Sequence, residues 1–360
     1  MTRVVDLLQY LLEERGSDLL VKVGSSPCLR RNGRLEHTTL EPLTPTEIEA
    51  LAAELLSPVK AAEFQASGET DMAYSVPGLG RFRVNVYRQR GSVSLAIRRV
   101  VPGAPSIDDI GVPPVVADLA NHRDGLVIVS GPAAAGKTTT AAAMIDHINA
   151  SQARHIVTIE DPIEVLHADR VAIVSQREVG ADTPDTADAL RRVARQDADV
   201  IFVSDLYETE AIHAALTVAA AGRLVIAVMN TQSATDTVAL LVGRADPHLQ
   251  QHSRLLLGRV LRGIVCQRLV DRADGRGRVA LVEALVGTAK VREAISNGAD
   301  ALALQALMEE GRYHGMATFD QALFQLFSED YVSLDEAVER AVNPEDFRIA
   351  VQAAGLATAH

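Results

Sequence analysis

Residues Gly131-Pro132-Ala133-Ala134-Ala135-Gly136-Lys137-Thr138 follow the apolar run Leu126-Val127-Ile128-Val129, and they constrain this chain more than any other stretch. An apolar run, a turn bounded by two glycines, then a lysine and a hydroxyl residue is the pattern of a strand–loop–helix unit built to hold phosphate. Backbone N–H groups of the turn and of the following helix's first residues converge on one concavity, which favours an anion. In such a loop Lys137 reaches the β- and γ-phosphates, and the Thr138 hydroxyl is placed to hold Mg²⁺. The chain has four lysines, Lys22, Lys60, Lys137 and Lys290, and its other cationic side chains are arginines. A lysine kept at this one position points to a need for a compact ammonium rather than a guanidinium fork. The expectation is a nucleoside triphosphate site.

Composition narrows the setting. The net charge is −12 and the pI about 5.3, which argues against a nucleic-acid groove. Aromatics are 4% with no Trp, so stacking platforms for bases are scarce. Cys28 and Cys266 lie far apart and form neither a disulfide framework nor a zinc motif, which suggests a reducing, cytoplasmic compartment. Met1-Thr2-Arg3 leads into an amphipathic stretch containing Asp6, Glu13 and Glu14 and does not read as a secretory signal. No apolar run reaches the roughly 18–20 residues of a membrane span, so any membrane role is expected to run through partners.

The first hundred residues read as a small α+β domain. Helical periodicity runs over 4–12, a strand over 19–23, and Asn32-Gly33 between Leu29 and Leu35 signals a hairpin. Thr44-Pro45-Thr46-Glu47 marks a helix start, and a strand pair flanks Pro77-Gly78-Leu79-Gly80. In the second of these strands Phe82, Val84 and Val86 alternate with Arg81, Arg83, Asn85 and Tyr87. With Arg88, Arg90, Arg98 and Arg99 this puts six arginines into 19 residues of an acidic protein. That is either a solvated strand face or a surface meant for an anion.

Domain boundaries are expected at 1–100, a linker at 101–112 rich in Pro and Gly, an α/β core at 113–290, and a helical region at 291–360. In the core, strands at 126–129, 155–159, 171–174, 200–204 and 224–229 alternate with helices at 136–149, 186–196 and 208–221. That alternation implies a mostly parallel sheet with helices on both faces and a ligand at the strands' carboxyl ends. Two acidic segments fall at such ends: Asp205 after Val200-Ile201-Phe202-Val203-Ser204, and Glu160, Asp161 and Glu164 around Pro162. A divalent metal and a water-activating carboxylate are the two needs they can meet.

As a set, these motifs resemble the PilT-type secretion ATPases, motors of type IV pilus retraction with relatives in type II secretion. Gly80-Arg81-Phe82-Arg83-Val84-Asn85-Val86-Tyr87-Arg88-Gln89-Arg90-Gly91, Ile159-Glu160-Asp161-Pro162-Ile163-Glu164, Gln176-Arg177-Glu178-Val179-Gly180 and Gly315-Met316 with Thr318-Phe319-Asp320-Gln321-Ala322-Leu323 carry the resemblance. It implies a PAS-like N-terminal domain, a RecA-like ATPase core and a hexameric ring. It further implies ATP and Mg²⁺ as cofactors, a location at the inner face of the cell membrane, and an inner-membrane pilus platform protein as partner; no nucleic-acid partner is expected. Nucleotide contacts are then expected from Gly131, Pro132, Ala133, Ala134, Ala135, Gly136, Lys137, Thr138 and Thr139. Thr138 and Asp205 are expected at the metal, Glu164 as catalytic base with Glu160 beside it, and Arg81, Arg83 and Arg88 at the nucleotide of a neighbouring subunit.

The chain also departs from the family pattern. Its loop has three alanines where the family has Thr-Gly-Ser, and a Cβ at Ala134 costs about 1–2 kcal/mol if that residue needs positive φ. Ser204-Asp205 replaces Gly-Glu. Gly222-Arg223-Leu224-Val225 and Met229-Asn230-Thr231 lack both histidines of the family's His box. Lys290-Val291-Arg292-Glu293-Ala294-Ile295 departs from its C-terminal motif. Two readings stay open: a motor that turns over, or a nucleotide-binding, catalytically weak ring subunit beside an active sister. A RecA-like nucleic-acid translocase is opposed by charge and aromatic poverty.

Overall fold

The computed structural model describes residues 3–31 and 33–356. It divides into two compact units, one of residues up to Pro102 together with Glu164–Leu166, the other of Gly103–Ile163 with His167 onward.

The first unit carries a six-stranded antiparallel sheet. Its strands are β1 (Asp18–Val21), β2 (Cys28–Arg31), β3 (Arg34–His37), β4 (Glu69–Val76), β5 (Gly80–Gln89) and β6 (Ser92–Arg99), in the order β3-β2-β1-β6-β5-β4. The hairpin expected at Asn32-Gly33 joins β2 to β3, although Asn32 itself lies outside the described residues. The helix Pro45–Leu55 begins where expected. Thr44 accepts from the Glu47 N–H, Glu47 reaches back to the Thr44 N–H, and proline sits in the first turn. Leu7, Leu8 and Leu11 of the helix Val4–Glu13 join Ile48 and Leu51 of that helix over the apolar face of the sheet. The alternation in β5 holds: Phe82, Val84 and Val86 are buried in that core, leaving the arginines on the opposite face. Two short strands, β7 (Val101–Pro102) and β10 (Val165–Leu166), pair in parallel within this unit.

The second unit is a doubly covered sheet of seven strands: β8 (Gly125–Ser130), β9 (His155–Glu160), β11 (Ile173–Glu178), β12 (Val200–Val203), β13 (Leu224–Met229), β14 (Leu261–Asp271) and β15 (Arg278–Val286). Their order is β11-β9-β12-β13-β8-β14-β15. Every neighbouring pair is parallel except β14 with β15. Strands β8, β12 and β13 are buried along their whole length, as continuous apolar strands covered on both faces must be. Separate apolar cores lie on the two faces. One is built on the helix Lys137–Ser151, the other on the helices Thr186–Val193, Thr209–Ala220 and Ala234–Gly243. A further cluster packs the C-terminal helices on β14 and β15 through Val270, Leu281, Phe319 and Leu323.

The strand expected at 171–174 begins two residues later and runs on to Glu178. The strands β14 and β15 have no counterpart in the sequence reading, because polar residues (Arg262, Gln267, Arg268 and Glu283) interrupt their apolar runs. The C-terminal helices Ala301–Glu310, Phe319–Ser328, Leu334–Arg340 and Pro344–Ala353 belong to this second unit. No helix among the described residues is long and apolar enough to cross a membrane.

Candidate functional site

The loop Gly131–Gly136 leaves the carboxyl end of β8, an interior strand of the sheet, and enters the helix Lys137–Ser151 directly. Both glycines are required by position. Gly131 has φ +143 and Gly136 φ +86, and a Cβ on Gly131 would lie 2.2 Å from the Gln267 carbonyl oxygen. Lys137 is only 9% exposed, and its Nζ donates to the Pro132 carbonyl at 2.7 Å, with no ion pair among the described residues. Burial pushes its ammonium below the ordinary value, with Asp205 acting the other way. A buried cation that meets one neutral carbonyl, at the first position of a helix, suits a polyphosphate. Thr138 is half-buried and Thr139 exposed on the first turn, whereas Thr140 points inward to Gln267.

Parallel strands bring the other candidates to the same sheet edge. Asn230 follows β13, which pairs with β8 through Met229 and Ser130. Asp205 follows β12, and burial together with the nearby Asp161 raises its carboxyl above the usual range, against the pull of Lys137. Glu160 ends β9 at 4% exposure, accepting from the Thr158 hydroxyl at 2.6 Å and from Gln176 at 2.9 Å. Two contacts that no local pattern announced set this edge. The Ser204 hydroxyl accepts from the Asp161 N–H at 2.9 Å, and buried Glu178 accepts from the Ile163 N–H at 3.2 Å.

Of the remaining sequence candidates, Glu164, Arg81, Arg83 and Arg88 belong to the first unit. Glu164 groups with the first unit, where its carboxylate is 3.9 Å from Arg83. Arg81 donates to Ser75 at 3.2 Å, and Arg88 lies 5.1 Å from the centre of the Phe64 ring. Arg223 sits at the opposite, amino end of β13 and pairs with Asp199 at 3.8 Å, so its charge is directed away from the phosphate loop.

Comparison with known proteins agrees with this geometry. A profile of the type II/IV secretion system protein family matches residues 95–338. The chain belongs to that family. It is 34% identical to the type IV pilus ATPase PilU of Pseudomonas aeruginosa over 348 residues, covering 96% of this chain and 90% of that one. It is 33% identical to that organism's type IV pilus retraction ATPase PilT, covering 96% of this chain and 99% of that one. A crystal structure of the pilus retraction motor PilT with bound ADP superposes with a TM-score of 0.86 at 34% identity, covering 96% of this chain and 99% of that chain. The fold is that of PilT, and the chain is a P-loop ATPase of the PilT type.

Within that family the triple-alanine loop has a visible consequence. Ala134 stands at φ +61, the left-handed region in which a Cβ crowds the following carbonyl. Relief of about 1–2 kcal/mol, less about 0.4–1 kcal/mol for the more flexible unfolded glycine chain, leaves a modest gain for Ala134→Gly. A small rise in thermal midpoint with nucleotide affinity retained is expected. A lower midpoint would show that the Ala134 backbone is relaxed.

Proposed function

We propose that this protein is the motor ATPase of a type IV pilus retraction system, working as a ring of identical subunits, hexameric as in the family it resembles. The observation that carries this reading is the phosphate loop itself, with buried Lys137 in no ion pair among the described residues, in a chain similar to PilT along nearly its whole length. Lys137 and the loop amides bind the β- and γ-phosphates of ATP. The Thr138 hydroxyl and Asp205 are suited to a Mg²⁺ ion, which would neutralise charge on the phosphate oxygens. Asp205 is shorter by one methylene than the family's glutamate, and its raised carboxyl pKa matches a site that gains a cation when loaded.

Glu164 is the proposed general base for the attacking water, with Glu160 supporting the strand end behind it. Arg81, Arg83 and Arg88 are proposed to act on nucleotide held by the neighbouring subunit. The motor is proposed to work at the cytoplasmic face of the cell membrane against a pilus platform protein embedded there.

A steady-state ATPase assay beside an ADP titration tests the core of this reading. Wild type should hydrolyse ATP, and Glu164→Gln should lose about 10²-fold or more in kcat with ADP affinity intact. Parental turnover by Glu164→Gln removes that residue from the base role, and a wild type without turnover overturns the motor assignment.

A further inference from the structure

A residue of β14 holds the phosphate loop from behind. Gln267 is 3% exposed, and its carboxamide makes two hydrogen bonds to the loop and the helix that follows it. Nε2 donates to the Ala135 carbonyl at 2.8 Å, and Oε1 accepts from the Thr140 hydroxyl at 2.7 Å. The same residue accounts for both glycines. Its carbonyl oxygen stands 2.2 Å from the place of a Cβ on Gly131, and its Nε2 stands 2.8 Å from the place of one on Gly136. The loop is therefore folded over Gln267, at the point where β14 and β8 run side by side through Cys266 and Ser130.

The chemistry of the contact is specific. Ala135 offers only an acceptor and the Thr140 hydroxyl needs one, so a neutral carboxamide, donor on one side and acceptor on the other, satisfies both. Burial pushes the neighbouring Cys266 thiol up to about 12, so that side chain stays protonated and neutral. The loop it clamps carries Ala134 in the left-handed region, a conformation that persists only where the surroundings impose it.

We propose that Gln267 is a positioning residue for nucleotide binding. By tying the end of the loop to the first turn of the helix Lys137–Ser151, it keeps the loop backbone ordered before nucleotide arrives. Without it the loop would have to be ordered at the expense of binding free energy. The proposal rests on the nucleotide-binding reading of the loop.

Titration with a fluorescent ADP analogue tests it, using wild type, Gln267→Leu, Gln267→Glu and Thr140→Val. Gln267→Leu should weaken binding about tenfold to a hundredfold, the measure of two buried hydrogen bonds lost. Gln267→Glu, nearly isosteric, sets a carboxylate against the Ala135 carbonyl at about pH 8, and protonation toward about pH 5.5 restores an O–H donor. Its affinity relative to wild type should therefore recover as pH falls. Thr140→Val should weaken binding alone yet add little in the Gln267→Leu background, because the two side chains form one clamp.

A purely structural role would lower the thermal midpoint without changing ADP affinity or producing that recovery. If Gln267→Leu does not fold, the two isosteric variants carry the test. Wild-type affinity in Gln267→Glu at both pH values, or strict additivity with Thr140→Val, overturns the proposal. Failure of wild type itself to bind ADP overturns the nucleotide reading instead.

Discussion

Lys137→Ala should lose nucleotide-dependent stabilisation altogether. Wild type with ADP at a hundred times its dissociation constant should gain about 2.7 kcal/mol, read as a rise in thermal midpoint, and the variant should gain none. The nucleotide-free proteins should differ far less. In the structure the Lys137 ammonium is buried against one neutral carbonyl, and burial already pulls its pKa down, so losing it removes a desolvated charge. A large destabilisation of the free variant would mean that Lys137 serves the fold, and equal stabilisation of both proteins by ADP would refute phosphate binding through this residue. In the host cell the same substitution should stop pilus-driven twitching.

Mixing two inactive variants, Lys137→Ala and Arg83→Ala, should return part of the ATPase activity that neither shows alone. If Arg83 serves the nucleotide of a neighbouring subunit, mixed rings contain interfaces where an intact loop meets an intact arginine. An arginine acting this way is worth roughly 10³–10⁵ in rate, so even a minority of restored interfaces is measurable. Arg83 is the best probe of the three candidates. Arg88 rests against Phe64 and Arg81 reaches Ser75, whereas the Arg83 partner is Glu164, in a half-exposed pair 3.9 Å apart. Exposed pairs of that kind contribute about 0–1 kcal/mol, so Arg83→Ala should fold normally. No recovery in mixtures shown by light scattering to have assembled would count against action between subunits.

Much of this protein follows from short stretches of its sequence. The phosphate loop is one, because glycine at positive φ, a lysine and a helix start are properties of neighbouring residues. The apolar runs of β8, β12 and β13, the alternation of Phe82, Val84 and Val86, and the capping of the helix Pro45–Leu55 are others. In each case burial or a backbone hydrogen bond is decided within one turn or one strand, so periodicity exposes it. The strain at Ala134 was anticipated from the family resemblance instead, because the family's loop has a glycine at that position.

Tertiary structure decided the rest. It brought Gln267 to Thr140 across 127 residues and Ser204 to Asp161 across 43, contacts that leave no mark in the local pattern of either partner. It directed Arg223 to the amino end of β13, away from the phosphates, and grouped Glu164 with Arg83 in the first unit. The physical reason is that sequence alone fixes which groups must be buried or paired. Which distant group satisfies them depends on strand order, and here that order sets β14 beside β8 and β12 beside β9.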